Sequence, residues 1–181
     1  MHIRRIRSHE GSRLRDIRLR ALADAPMAFG STLAEEQARP ATEWDRSAAE
    51  DALSGTRVRF VAEENGRWYG MAGGFVRPED PETVQLVSMW VDPARRRAGL
   101  GTSLVETVVR WARGRAARRI QLWVTDTNSG AKSLYRRAGF KETDRVQPLP
   151  SAPALREVLM VRALGGEGRT SQDGSRKHSQ P

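Results

Sequence analysis

The sequence predicts an α/β domain built on a mixed sheet, and three observations predict it. Apolar runs of strand type lead the chain, and helical patterns are inserted between them. One of those strands runs directly into a glycine turn and an amphipathic helix. No apolar stretch is long enough for a transmembrane helix or a secretory core, so the chain is expected to stay off the membrane and in the cytoplasm. With 181 residues, 38% of them hydrophobic, one domain with a proper core is expected.

The elements follow in order. His2 to Ile6 reads as a first strand, and Ser12 to Ala23 as a helix carrying Leu14, Ile17, Leu19 and Leu22 among arginines. Asp24 to Pro40 is irregular at first, then acidic and helical. Thr42 to Leu53 has the acidic first turn of a capped helix, with Glu43 and Asp45. Val58 to Glu63 is a strand, and Asn65-Gly66 signals a hairpin into Arg67 to Val76. Pro78 to Pro81 is expected as a loop before a strand from Thr83 to Val91. Leu100, Leu104, Val108 and Ala112 recur at four-residue spacing, which makes the next segment a helix. Ile120 to Thr125 reads as a buried strand. Ala131 to Ala138 is a short helix stopped by Gly139. Phe140 to Val146 and Leu155 to Val161 are two last strands around a proline-rich loop. The count is about seven strands and about four helices over residues 1–164. Residues 165–181 are poor in apolar side chains and are expected to be a disordered tail.

The turn from Arg95 to Thr102 is the most informative stretch. Gly99 and Gly101 let the backbone approach a ligand closely, and a helix starting near Leu100 leaves its first N–H groups free. Arg95, Arg96 and Arg97 add positive charge, so the turn suits an anion such as a phosphorylated cofactor. A lysine phosphate loop fails because Thr102 follows Gly101, and a dinucleotide fingerprint fails because Leu104 replaces its third glycine. The turn alone leaves open a solvated, arginine-rich connection with no ligand.

Composition excludes several chemistries. There is no cysteine, and the histidines are His2, His9 and His178, all near the ends. A cysteine nucleophile, a thiolate or histidine metal site and a Ser–His–Asp triad are therefore not expected. The net charge of +9 comes from 31 basic residues, of which only Lys132, Lys141 and Lys177 are lysines. These charges are spread along the chain and not gathered in one run with aromatics, so nucleic acid is not expected as a partner.

Two motifs carry a resemblance. Arg96-Arg97-Ala98-Gly99-Leu100-Gly101 follows the strand VSMWVDP, and NSGAKSLYRRAGF spans Asn128 to Phe140. Together, in this order, they resemble the GNAT superfamily of acetyl-coenzyme A-dependent N-acetyltransferases. The resemblance runs over Met1 to Leu164 in element order and is specific over Leu86 to Phe140. It implies a mostly antiparallel central sheet and acetyl-CoA as cofactor. It also implies an amine acceptor whose identity stays open, in a monomer or homodimer.

By the same resemblance, Arg96, Arg97, Ala98, Gly99, Leu100, Gly101 and Thr102 form the pyrophosphate turn, with main-chain N–H groups from Arg97 onward as donors. Met89, Trp90 and Val91 would hydrogen-bond the pantetheine arm as a pseudo-strand. Asn128 would touch the cofactor or hold the following helix. Tyr135 would lie near the thioester sulfur and act as general acid, while the N–H of Met89 or Trp90 would face the developing oxyanion. No protein nucleophile is needed. The position of the family's strand glutamate holds Gln85, which takes no proton at neutral pH. Glu82, Glu35 and Glu36 are the remaining carboxylate candidates, with water chains as another route. Phe29, Ser31, Glu35, Glu36, Trp44 and Gln85 are placed on the acceptor side. A catalytically weak acyl-CoA-binding sensor is the alternative reading.

Overall fold

The computed structural model describes residues 1–165, so the expected tail lies outside the described residues except for Gly165. One sheet of seven strands organises the chain in the order β1-β2-β3-β4-β5-β7-β6. The strands are β1 His2–Arg5, β2 Arg57–Glu64, β3 Arg67–Arg77, β4 Asp80–Val91, β5 Arg119–Thr125, β6 Lys141–Leu149 and β7 Ala152–Ala163. Every neighbouring pair is antiparallel except β4 and β5, which are parallel. The helices are α1 Gly11–Asp24, α2 Leu33–Ala38, α3 Ala41–Leu53, α4 Leu100–Gly114 and α5 Ser129–Arg137. No helix among the described residues is long and apolar enough to cross a membrane.

Two layers of side chains cover the two faces of the sheet. On one face α4 buries Leu104, Val105, Val108, Val109 and Ala112 together with Tyr135 and Ala138 of the α5 region. The spacing of these apolar residues gives α4 one continuous buried stripe. Gly74 makes this approach possible, because a Cβ there would lie 2.9 Å from Val108. On the other face α1 contributes Leu14, Ile17, Ala21 and Leu22, and α3 contributes Trp44 and Ala48. Met71 and Trp90 meet them from the sheet.

The acidic segment is helical as expected, forming α2 capped by Thr32, and with it the helices number five. Two elements differ from expectation. The loop expected at Pro78 to Pro81 is shorter, because β4 begins at Asp80 and includes Pro81. The proline-rich loop is largely strand. β6 runs through Pro148 to Leu149, and β7 starts at Ala152. Proline is tolerated in β6 because β6 is an edge strand.

The face covered by α1–α3 is also fastened by charge. Glu10, 3% exposed, accepts hydrogen bonds from Arg4, Arg13 and the Arg7 N–H. Burial alone would raise its pKa, but these donors outweigh it and hold the carboxyl down at about 2. Its stabilising effect is therefore complete above the ordinary carboxylate range and is lost as pH falls toward 2. Glu10→Gln should lower stability at neutral pH by about 3 kcal/mol, the usual cost of breaking a buried pair. In denaturant titrations the gap from the parent protein should close as pH drops from about 4.5 to about 2.

Candidate active site

The site begins where two strands part. β4 and β5 pair at only three positions, Thr83 with Arg119, Val84 with Ile120 and Gln85 with Gln121. Beyond Gln85, β4 continues beside β3 alone, and beyond Gln121, β5 continues beside β7 alone. A bulge accompanies the parting. The β3–β4 register shifts by one residue between the Met71–Trp90 and Gly73–Val87 pairs, and Ser88 sits at φ 54. The extra residue bends and twists β4 there. Residues Leu86 to Val91 thus face a wedge with backbone groups that no strand on that side satisfies.

The glycine turn closes one end of this wedge. The Asp92 carboxylate accepts from Ala94 N at 3.0 Å and opens a short 3-10 turn, Pro93–Arg95. Arg97 and Gly99 then take left-handed conformations, with φ of 64 and 80. α4 starts at Leu100, and its first closing bond is Ser103 N to Gly99 O at 3.0 Å. Among the described residues, none of the N–H groups from Arg97 to Thr102 has a hydrogen-bond partner. Six consecutive donors at a helix N-terminus form a cradle for an anion. Gly101 brings the turn close to the wedge. A Cβ there would lie 3.3 Å from Leu134 of α5 and 3.4 Å from Met89 of β4.

The three arginines of the turn have different fates. Arg95 pairs with Glu64 at 2.5 Å and lies over the Tyr69 ring. Arg96 bonds Asp24 and the Val91 carbonyl, so its side chain latches the turn to the end of α1. Trp90 donates to the same Asp24 carboxylate at 2.8 Å. Among the described residues only Arg97 of the three makes no ion pair, and it is exposed.

Tyr135 is buried among the α4-side core residues and meets Phe140 edge to face, with ring centroids 5.8 Å apart. Its hydroxyl has no hydrogen-bond partner among the described residues, and burial pushes the phenol above its ordinary pKa. The group therefore stays protonated across the neutral range. Asn128 caps α5, its Oδ1 accepting from Ala131 N at 3.0 Å.

The expected acceptor-side residues separate into two groups. Glu35 closes a capping box with Thr32; the Thr32 N–H and then its hydroxyl hold the Glu35 carboxyl below the usual range. Glu36 is buried. Burial opposes its ionisation, but Ser31 at 2.7 Å and Arg39 at 2.9 Å prevail and keep it a carboxylate. Ser31 also accepts from Arg18, whose guanidinium lies over Phe29. Trp44 is core, with Arg39 over its ring. Phe29 touches the far hairpin, since its carbonyl accepts from Ser151 at 2.6 Å. Gln85 is 6% exposed on the sheet floor, on the face opposite α4. Glu82, another candidate base, is exposed and pairs with Arg118.

Two further residues at the site carry no motif. Asp24 gathers Trp90 and Arg96, and Glu157 of β7 lies buried on the same sheet face as Gln85. A carboxylate in a helix's last turn and a glutamate in a strand alternation are the only sequence traces of them.

Comparison with known proteins decides the family. Residues 20–140 match the acetyltransferase (GNAT) family model. The chain belongs to this family. A GNAT-family acetyltransferase of Streptococcus pneumoniae superposes with a TM-score of 0.76 at 22% identity, covering 91% of this chain and 99% of its own. A putative acetyltransferase of Salmonella typhimurium, solved with its cofactor acetyl-CoA, gives 0.75 at 20% identity, over 93% and 96% of the two chains. An uncharacterised N-acetyltransferase of Methanocaldococcus jannaschii is 34% identical over 49% of this chain, which spans 41% of that relative's length. An aminoglycoside N(6')-acetyltransferase of Klebsiella aerogenes is 34% identical over 50% of this chain and 62% of its own.

The GNAT turn has a testable local cost. No atom lies within 4 Å of where a Gly99 Cβ would stand, so only the positive φ penalises a side chain. Gly99→Ala should fold and lose about 1 kcal/mol, the cost of placing a Cβ in the left-handed region. Thermal unfolding measures it.

Proposed function

We propose that residues 1–164 form an N-acetyltransferase domain that transfers the acetyl group of acetyl-CoA directly to a primary amine. The observation that carries this reading is the coincidence of an open strand edge, a cradle of free N–H groups and a buried tyrosine with an unengaged hydroxyl. The names of the related N-acetyltransferases support it. Acetyl-CoA, when bound, supplies a thioester carbonyl already activated for attack.

The fit of the cofactor follows from the chain itself. The N–H groups from Arg97 to Thr102 suit a pyrophosphate, and the Arg97 guanidinium adds charge without giving up an internal pair. The free edge from Leu86 to Val91, which includes Met89, Trp90 and Val91, suits an extended amide-bearing arm. Arg96 takes part through its latch to Asp24, which fixes the turn. Asn128 acts by holding α5 and therefore Tyr135.

In catalysis Tyr135 serves as proton donor to the departing thiolate; burial keeps the phenol protonated before the step, and the phenolate takes a proton back through the water that receives it from the amine. The main-chain N–H of Met89 serves the oxyanion, since the register turns that of Trp90 toward Met71 of β3. Gln85 orients water or the amine by hydrogen bonding and takes no proton. Glu35 and Glu36, both held in the ionised form by their neighbours, are poor bases. Water therefore carries the amine proton out.

Release of free coenzyme A thiol over a panel of amines tests the reading. Tight acetyl-CoA binding without turnover on any amine would favour the sensor instead. Tyr135→Phe should lower kcat about a hundredfold, the lower range for loss of a general acid, with acetyl-CoA affinity unchanged. Gly99→Glu should abolish acetyl-CoA binding while the protein stays folded, because its carboxylate would stand at the cradle.

A further inference from the structure

Five carboxylates with an exposure of 9% or less are found among the described residues: Glu10, Glu36, Asp51, Asp92 and Glu157. Four of them have arginine partners. Glu10 meets Arg4 and Arg13, Glu36 meets Arg18 and Arg39, Asp51 meets Arg57 and Arg59, and Asp92 meets Arg20 and Arg67. Glu157 has no cationic partner among the described residues. Its contact is a neutral amide, Gln147 Nε2 at 3.0 Å. A buried carboxylate without a counter-ion is costly. In a chain with 31 basic residues against 22 acidic ones, it is also the exception.

The position of Glu157 gives the exception a purpose. It pairs across from Thr125, and alternation along β5 and β7 puts it on the face of Gln85, Gln121 and Trp123. That face lies opposite the α4 layer and beside the wedge. The Thr125 hydroxyl donates to the Met27 carbonyl, and the β6–β7 turn reaches Phe29 through Ser151. Glu157 therefore stands where the α1–α2 connection and the last hairpin come together over the sheet.

We propose that Glu157 is the counter-ion for a cationic group of the acceptor, and that the acceptor carries two amines. This rests on the N-acetyltransferase reading above. The chemistry separates the two amines. A carboxylate beside an ammonium keeps it protonated, which suits the amine that does not react. The reacting amine must be neutral and is served by uncharged groups such as Gln85. One ammonium anchors the molecule at Glu157 while the other end is presented to the wedge.

Calorimetric titration of the coenzyme A-loaded full chain with diaminobutane, spermidine and butylamine tests this. The diamines should bind more tightly than butylamine. Glu157→Gln should weaken the diamines about tenfold, the scale of removing one partner of a desolvated ion pair, weaken butylamine as well because its one ammonium has the same carboxylate to meet, and leave coenzyme A unchanged. The glutamine keeps the contact with Gln147, so its melting temperature should equal or exceed that of the parent. Comparing diaminobutane with butanediol on the parent protein tests the charge without a variant, and the diol, which carries no ammonium for Glu157, should bind more weakly. Equal affinity of parent and Glu157→Gln for the diamines overturns the proposal. So does equal binding of diaminobutane and butanediol, or no measurable binding of any diamine. Failure of acetyl transfer itself would show separately, as acetyl-CoA binding with no thiol release.

Discussion

The parting of β4 from β5 is the constraint on which the rest of the site depends. A parallel pair held at three positions cannot close into a continuous sheet, and the bulge at Ser88 turns β4 further from its neighbour. The sheet survives because each strand keeps its other partner, β3 for β4 and β7 for β5. An open edge in the middle of a sheet normally invites aggregation or a ligand. Here α4 and α5 cover one face of the gap, and close contact of Gly101 with Leu134 and Met89 sets how near the helix N-terminus comes. A Cβ at 101 would press on the side-chain tips of Leu134 and Met89, at 3.3 and 3.4 Å, which would have to give way slightly.

Charge is organised around that gap. An arginine-rich chain could have surrounded an anion site with mobile cations, but Arg95 and Arg96 are spent on Glu64 and Asp24. Main-chain dipoles are left as the principal donors, with Arg97 beside them. Fixed N–H groups lose no side-chain entropy when they bind, whereas arginine side chains do. On the opposite face Arg18 and Arg39 are matched by Glu36 and Glu43 beside Phe29 and Ser31. Glu35 and Glu36, candidate proton acceptors from the sequence, are engaged in a capping box and in ion pairs with Arg18 and Arg39.

Much of this was legible in the sequence, and what was not has physical causes. The helix from Leu100 was readable because Leu104, Val108 and Ala112 repeat, and the hairpin at Asn65-Gly66 because few residues tolerate its conformation. Both residues there do have positive φ. Ser88 also has a positive φ, yet serine has no strong preference for it, so the bulge left no trace. The last hairpin was hidden by prolines, which argue against strand everywhere except at an edge. Order along the chain does not say that β6 is that edge. Asp24 and Glu157 were hidden because their roles are set by partners distant in sequence. Trp90 is 66 residues from Asp24, and Phe29 is 122 from Ser151 of the hairpin that carries Glu157.

The two faces of the sheet then divide the chemistry proposed for it. The α4 face supplies fixed dipoles and a phenol kept neutral by burial, which suits a leaving group that needs a proton. The α1–α3 face supplies a neutral amide at the point where the strands part and an unpaired carboxylate farther along β7. Reversing those two residues would put a proton acceptor where the strands part and take the carboxylate from β7. A carboxylate at position 85 could accept the proton, but a neutral residue at 157 would leave a second ammonium with no counter-ion in a site already rich in arginine. With glutamine at 85, the reacting amine gains nothing from staying charged at the wedge, while its distant partner gains from staying charged at Glu157. In the proposed reading, that asymmetry selects which amine of the acceptor is acetylated.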